Sequence, residues 1–179
     1  TPATITDILV TNSKGVTITD ALGTGVKFTG GAGADNIKLT ASFEKAINMG
    51  AGDDTVTYAA ASTVEGKVGS VDAGADKDTI IMLSADAVTA SGDNAFNTAF
   101  KNFEVLVISD ATTSGHTYDI EKLNNVSQVT FAGALAAGTN TINNLVSNGT
   151  VKLTTTAAGV SDLIVNVKNA STGKNDVLN

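Results

Sequence analysis

Three glycine–aspartate turns, each running straight into a β-branched strand, constrain this chain more than anything else in it. Gly30-Gly31-Ala32-Gly33-Ala34-Asp35-Asn36-Ile37-Lys38 matches the nonapeptide G-G-x-G-x-D-x-U-x at every defined position. Met49-Gly50-Ala51-Gly52-Asp53-Asp54-Thr55-Val56-Thr57 loses only the first glycine. Ala73-Gly74-Ala75-Asp76-Lys77-Asp78-Thr79-Ile80 is a degenerate third copy, with Asp76 where the others have Gly33 and Gly52. Asp35 and Asp54 are 19 residues apart, and Asp54 and Asp78 are 24 apart. Weaker echoes end at Asp162 (Gly159–Ile164) and Asp176 (Gly173–Leu178), and their 14-residue separation does not match that spacing.

Short strand-like runs recur between turn residues along the rest of the chain. They are Ile8–Val10, Val16–Ile18, Val26–Phe28, Ile37–Leu39, Ile47–Met49, Val56–Tyr58, Ile80–Leu83, Val105–Ile108, Thr117–Ile120, Gln128–Phe131, Thr141–Ile142, Val151–Leu153, Leu163–Val167 and Val177–Leu178. Two strand steps make a coil of about 20–24 residues, a period of stacked solenoids. The expected fold is therefore all-β: a parallel β-solenoid of the β-roll or β-helix kind, with one short helix near 93–103. That helix comes from Phe96, Ala99, Phe100 and Phe103 at i, i+3, i+4 and i+7, after Asp93 as an N-cap; Ser84 reads as another cap. The three Phe are expected to form a small core or to cover a sheet end. Residues 1–179 read as a single solenoid segment of a larger secreted protein, with a soft boundary near 84–110.

The spelling of the turns has a chemical reason. Calcium takes six to eight oxygens at about 2.3–2.6 Å. Glycine permits positive φ and exposes carbonyls, Asp supplies charge, and the apolar residue after it starts the next strand. One turn holds half a coordination sphere, so the neighbouring coil supplies the rest. The candidate calcium ligands are Gly31, Gly33, Asp35, Gly50, Gly52, Asp53, Asp54, Gly74, Asp76, Asp78, Asp162 and Asp176; the first three turns are expected to line up on one calcium-bearing edge opposite a plain one.

Charge agrees with a divalent cation. All 11 basic residues are Lys, against 14 Asp and 4 Glu, for a net charge of −7. No basic patch is available to displace counterions from nucleic acid, and an anionic membrane surface would repel the chain. No apolar run is long enough to insert in a membrane. Cysteine is absent, which excludes disulfides and thiol-based zinc sites. Hydrophobic content of 42% with a single Pro argues against disorder.

The turns resemble the RTX (hemolysin-type) calcium repeats of type I-secreted bacterial proteins. Asn102–Asp110, Leu123–Gly133 and Asp176–Asn179 are similar to strand phrases of Gram-negative surface-layer proteins and related large RTX adhesins. The resemblance implies a calcium-loaded solenoid, export without a cleaved N-terminal signal, a cell-surface location and calcium-dependent self-assembly into a two-dimensional lattice. Any lipopolysaccharide anchoring would run through a part outside this chain. The leading expectation is a structural, non-enzymatic component of a bacterial surface layer. The alternatives are a calcium-rigidified adhesin segment that binds a surface ligand, and the calcium-binding tail of an RTX enzyme.

Catalytic constellations are thin. His116 is the only histidine, and Ser114, His116 and Asp119 lack a nucleophile elbow. Adjacent carboxylates such as Asp53 and Asp54 are better explained by the turns than by glycoside cleavage. Without Arg, a lyase lacks its usual cation beside a substrate carboxylate. Sequons at Asn125, Asn148 and Asn169 are about as many as 16 Asn in a Thr/Ser-rich chain supply by chance.

Overall fold

A computed structural model describes residues 4–58, 69–92, 94–155 and 161–170. The expected strands between Ile8 and Val167 are present, each within a few residues of its anticipated bounds; Val177–Leu178 lies outside the described residues. Every strand pairing is parallel. A long seven-stranded sheet contains β2 (Thr17–Leu22), β4 (Asn36–Leu39), β6 (Thr55–Tyr58), β8 (Thr79–Met82), β10 (Val105–Ile108), β12 (Gln128–Phe131) and β14 (Thr150–Leu153), in that order. Facing it first is a sheet of β1 (Asp7–Leu9), β3 (Lys27–Thr29), β5 (Ile47–Asn48), β7 (Val71–Asp72) and β9 (Phe100–Lys101). Further along come β11 (Thr117–Asp119), β13 (Gly138–Leu145) and β15 (Ser161–Val167). The chain alternates between the long sheet and its opposite wall, which makes it a parallel β-solenoid. Two-residue β7 and β9 are too short to carry an alternating pattern, and sequence reading passes over them.

Period two puts alternate residues inside, and stacking puts equivalent residues above one another. Ile37, Val56, Ile80, Leu106, Val129 and Val151 form one such row, and Ile8, Phe28, Ile47, Val71 and Phe100 form another across the lumen. Nearly all are fully buried; Ile8 and Val151, on end rungs, are only partly covered. Small outward residues then suffice, because the core is filled by rows of aliphatic side chains.

The coil between β8 and β10 is the longest of the long sheet, its partners 26 residues apart, and it holds two helices, α1 (Ser84–Ala90) and α2 (Ala95–Ala99). The ten-residue helix expected from the Phe spacing is cut to five. Asp93, its expected cap, lies outside the described residues, and Asn94 holds the cap position. Phe100 instead opens β9, and Asn102 turns the chain at φ 62°. The apolar spacing was satisfied by a strand and a turn because tertiary burial, not helical period, fixes where these rings go. Phe96 stacks on Phe100 with centroids 4.4 Å apart, and Phe43, Tyr58 and Phe103 surround them. The rings are core, as expected.

Ser84 is not a cap. Leu83 holds that position, without a side-chain cap bond, and Ser84 is the first helical residue. Its hydroxyl is engaged by His116 Nδ1 at 2.6 Å and by the Tyr118 hydroxyl at 2.7 Å, while its N–H donates to Asp110 Oδ1 at 2.6 Å. Burial pushes the Tyr118 hydroxyl up to about 12, so it stays protonated. The only histidine is thus tied into an internal polar link between coils, and Asp119 is spent accepting from Glu121 N–H and Asn144 Nδ2. Ser84→Ala leaves a buried tyrosine hydroxyl without its short partner. Urea denaturation is expected to show a loss of about 1–2 kcal/mol; an unchanged midpoint would mean the link carries no stability.

Candidate metal-binding edge

The glycine–aspartate turns connect β3 to β4, β5 to β6 and β7 to β8, so all three stack on one edge of the long sheet. Their glycines serve two ends. Gly50, Gly52 and Gly74 hold φ of 101°, 108° and 105°, which side-chain-bearing residues rarely adopt. Gly30, Gly31 and Gly33 are not left-handed; there the demand is proximity, since a methyl on Gly30 would strike the Met49 carbonyl and one on Gly33 the Gly15 backbone. In the degenerate third turn Asp76 adopts φ 85° itself.

Asp35, Asp54 and Asp78 occupy the same position on successive rungs, each just before its strand, and all three are buried. Each reaches back one coil. Asp35 Oδ1 accepts the Val16 N–H at 2.7 Å, Asp54 Oδ1 accepts the Asp35 N–H at 2.7 Å, and Asp78 Oδ1 accepts the Asp54 N–H at 2.8 Å. Glu104, which sequence reading missed, adds a fourth rung: its Oε2 accepts the Asp78 N–H at 2.8 Å. It precedes β10 just as the three Asp precede their strands, but no glycine turn marks it out. Half of each carboxylate is therefore a coil-to-coil clamp, a role the turn motif alone did not reveal.

The other half differs. Asp54 Oδ2 and Asp78 Oδ2 are buried without a hydrogen-bond partner. Asp35 Oδ2 has only a long contact of 3.4 Å from the Gly31 N–H. Desolvation, opposed by the backbone bond and reinforced by neighbouring carboxylates, pushes Asp54 up to about 6 and Asp78 up to about 7. Around this row, Asp53 and Asp76 are exposed and tie the turn tips together: Asp53 Oδ1 accepts from Lys77 N–H, and Asp76 Oδ2 from Gly52 N–H, both at 3.1 Å.

Asp162 is not on this edge. It lies within β15, opposite Thr139, in the third sheet. Asp176 lies outside the described residues.

The donor set suits a hard cation in part. Orphaned carboxylate oxygens on neighbouring rungs are buried and pre-placed, and they become anionic as pH rises through about 6 for Asp54 and about 7 for Asp78. The carbonyls of Gly31 and Gly50 accept one N–H each, from Ala51 and Ala75, and keep a second lone pair. No group of three or more His, Cys, Asp or Glu side chains converges among the described residues. An ion here would be held by a mixture of Asp54, Asp78 and backbone oxygens, as calcium tolerates.

On the neighbouring rungs of the same edge, Lys101, Asn102, Glu104, Asn124, Asn125 and Ser127 line a polar cleft of about 480 Å³. No helix among the described residues is long and apolar enough to cross a membrane. No protein-family model matches the chain, and no curated protein matches it. What the fold and the edge define is a class: a parallel β-solenoid with a carboxylate ladder.

Proposed function

We propose that this chain is a calcium-stabilised solenoid segment of a bacterial surface layer, a structural rather than catalytic protein that assembles with copies of its parent into a two-dimensional lattice. The observation that carries the calcium reading is the pair of buried, unpartnered oxygens on Asp54 and Asp78. A buried ionised acceptor without a partner is costly, and a cation repays that cost. Resemblance of the turns and strand phrases supports the surface-layer part, as does a rod-like fold whose stability would be gained where calcium is abundant. In low calcium the acidic edge would repel itself and the chain would stay loose enough for export. Outside, metal binding would become folding free energy.

The test is a calorimetric melt with calcium and with EGTA at neutral pH, alongside electron microscopy of the full-length protein. The melting temperature is expected to rise with calcium, and ordered sheets are expected only when calcium is present. An unmoved melting temperature would remove calcium from the account, and a monodisperse full-length protein in calcium would remove the lattice.

A second reading, the adhesin segment, is favoured by the polar cleft. Its amides, with a cation and a carboxylate among them, suit a hydroxyl-rich ligand. Binding on a glycan array by a full-length protein that forms no sheets would select it.

A further inference from the structure

Sequon number is what composition supplies; sequon placement is not. Asn125, Asn148 and Asn169 begin the three N-x-S/T triplets of the chain, Asn125-Val126-Ser127, Asn148-Gly149-Thr150 and Asn169-Ala170-Ser171. Asn125 lies in the turn into β12, Asn148 in the turn from β13 into β14, and Asn169 follows β15 as Asn148 follows β13. They are 23 and 21 residues apart, one coil each. All three are exposed, with φ of 52°, 61° and 60°. They continue the edge that carries the glycine–aspartate turns in the earlier coils.

Left-handed turns recruit asparagine without any modification, because its short amide tolerates positive φ. Asn102, Asn124 and Asn144 are such residues, at φ of 62°, 64° and 58°, and none has a hydroxyl two residues on. Turn geometry accounts for an Asn at these corners but not for a hydroxyl at +2, and the Ser127 hydroxyl makes only a long contact of 3.4 Å, donating to the Glu104 carbonyl.

We propose that Asn125, Asn148 and Asn169 are N-glycosylation sites that line one edge of the later coils with sugar. The donor is a glycosyl diphosphate. The asparagine Nδ2 attacks the anomeric carbon, the bond from that carbon to the diphosphate oxygen breaks, the diphosphate leaves with the electron pair, and the lost amide proton passes to a base of the transferase. An exposed turn is the acceptor context such sequons require. Lys168 Nζ approaches Asn125 Oδ1 at 3.4 Å and leaves the nucleophilic nitrogen on the other side of the amide. Adjacent rungs are only about 4.8 Å apart, close to the width of one sugar ring. Single sugars therefore fit on neighbouring coils, and branched chains would collide.

Protein recovered from the organism that makes it is digested and its peptides fragmented by mass spectrometry. The peptides bearing Asn125 and Asn148 are expected to carry one hexose-sized addition each, with Asn169 also modified. A single sugar identifies a nucleotide-activated donor, and a larger constant block a lipid-linked one. Ser127→Ala and Thr150→Ala are expected to abolish the addition at Asn125 and Asn148 respectively, while Thr150→Ser keeps it. Three unmodified peptides overturn the proposal, as does an addition that survives both alanine changes. The readout is independent of calcium, so it stands or falls apart from the surface-layer reading.

Discussion

Alanine in place of Gly74 is expected to destabilise the protein by about 2–6 kcal/mol, combining roughly 1–3 for a side chain at a left-handed φ with roughly 1–3 for overpacking. Gly74 sits at φ 105°, and its added methyl would be driven into the Gly50 carbonyl of the coil beneath. That carbonyl also accepts the Ala75 N–H at 3.0 Å, so moving it aside loosens a coil-to-coil bond. Gly25 provides the control. Nothing lies within 4 Å of a methyl there, and its φ is not in the left-handed range. Gly25→Ala is expected to change stability by about 0.5 kcal/mol or less. Urea midpoints measure both; equal losses would show that the glycine edge is not closely stacked.

Asp78→Asn is expected to have opposite effects with and without calcium. Asp78 in the folded protein is raised from 3.8 to about 7, and Asp54 to about 6. A carboxyl raised on folding contributes stability that is fully present below its unfolded value and lost as pH rises through its folded value. In EGTA, then, these two groups favour the fold below about pH 4 and progressively cease to do so up to about pH 7. Above that, a neutral amide at this position spares a buried charge, and the variant is expected to be more stable than wild type by about 1 kcal/mol. In calcium at a hundredfold above its dissociation constant, wild type gains about 3 kcal/mol that the variant largely forgoes, so the order reverses. Calcium added at about pH 6.5 in weak buffer is also expected to release protons, because only the ionised carboxylates ligate it. A variant less stable than wild type in both conditions would show that the Oδ1 clamp is the whole role of Asp78.

How much was legible differs between the wall and the corner. The rows Ile37–Val56–Ile80 and Ile8–Phe28–Ile47 follow from alternation and coil spacing, both local properties of the chain. Asp35, Asp54 and Asp78 were found because Gly and Asp spell a turn before an apolar residue. Glu104 was missed because no glycine announces it; only the pairing of β8 with β10 places it on the same row. Asp162 looked like a turn residue because Gly159 and Leu163 flank it, yet eight-residue β13 draws its neighbour β15 into a long pair that takes Asp162 into a strand. The Phe96–Phe103 stretch had helical spacing, and the need to bury Phe100 in line with Val71 made a strand of its end.

The amino-acid sequence by itself determined that the chain coils, where it turns and which residues face inward, since those depend on periodicity and on glycine's backbone freedom. Tertiary structure alone decided what each aspartate does. A carboxylate has two oxygens, and only the stacking of one coil on the next assigns one to a backbone N–H and leaves the other buried and unpaired. Stacking likewise gathered three scattered sequons onto one edge. Both are relations between residues about one coil apart, which no local pattern encodes.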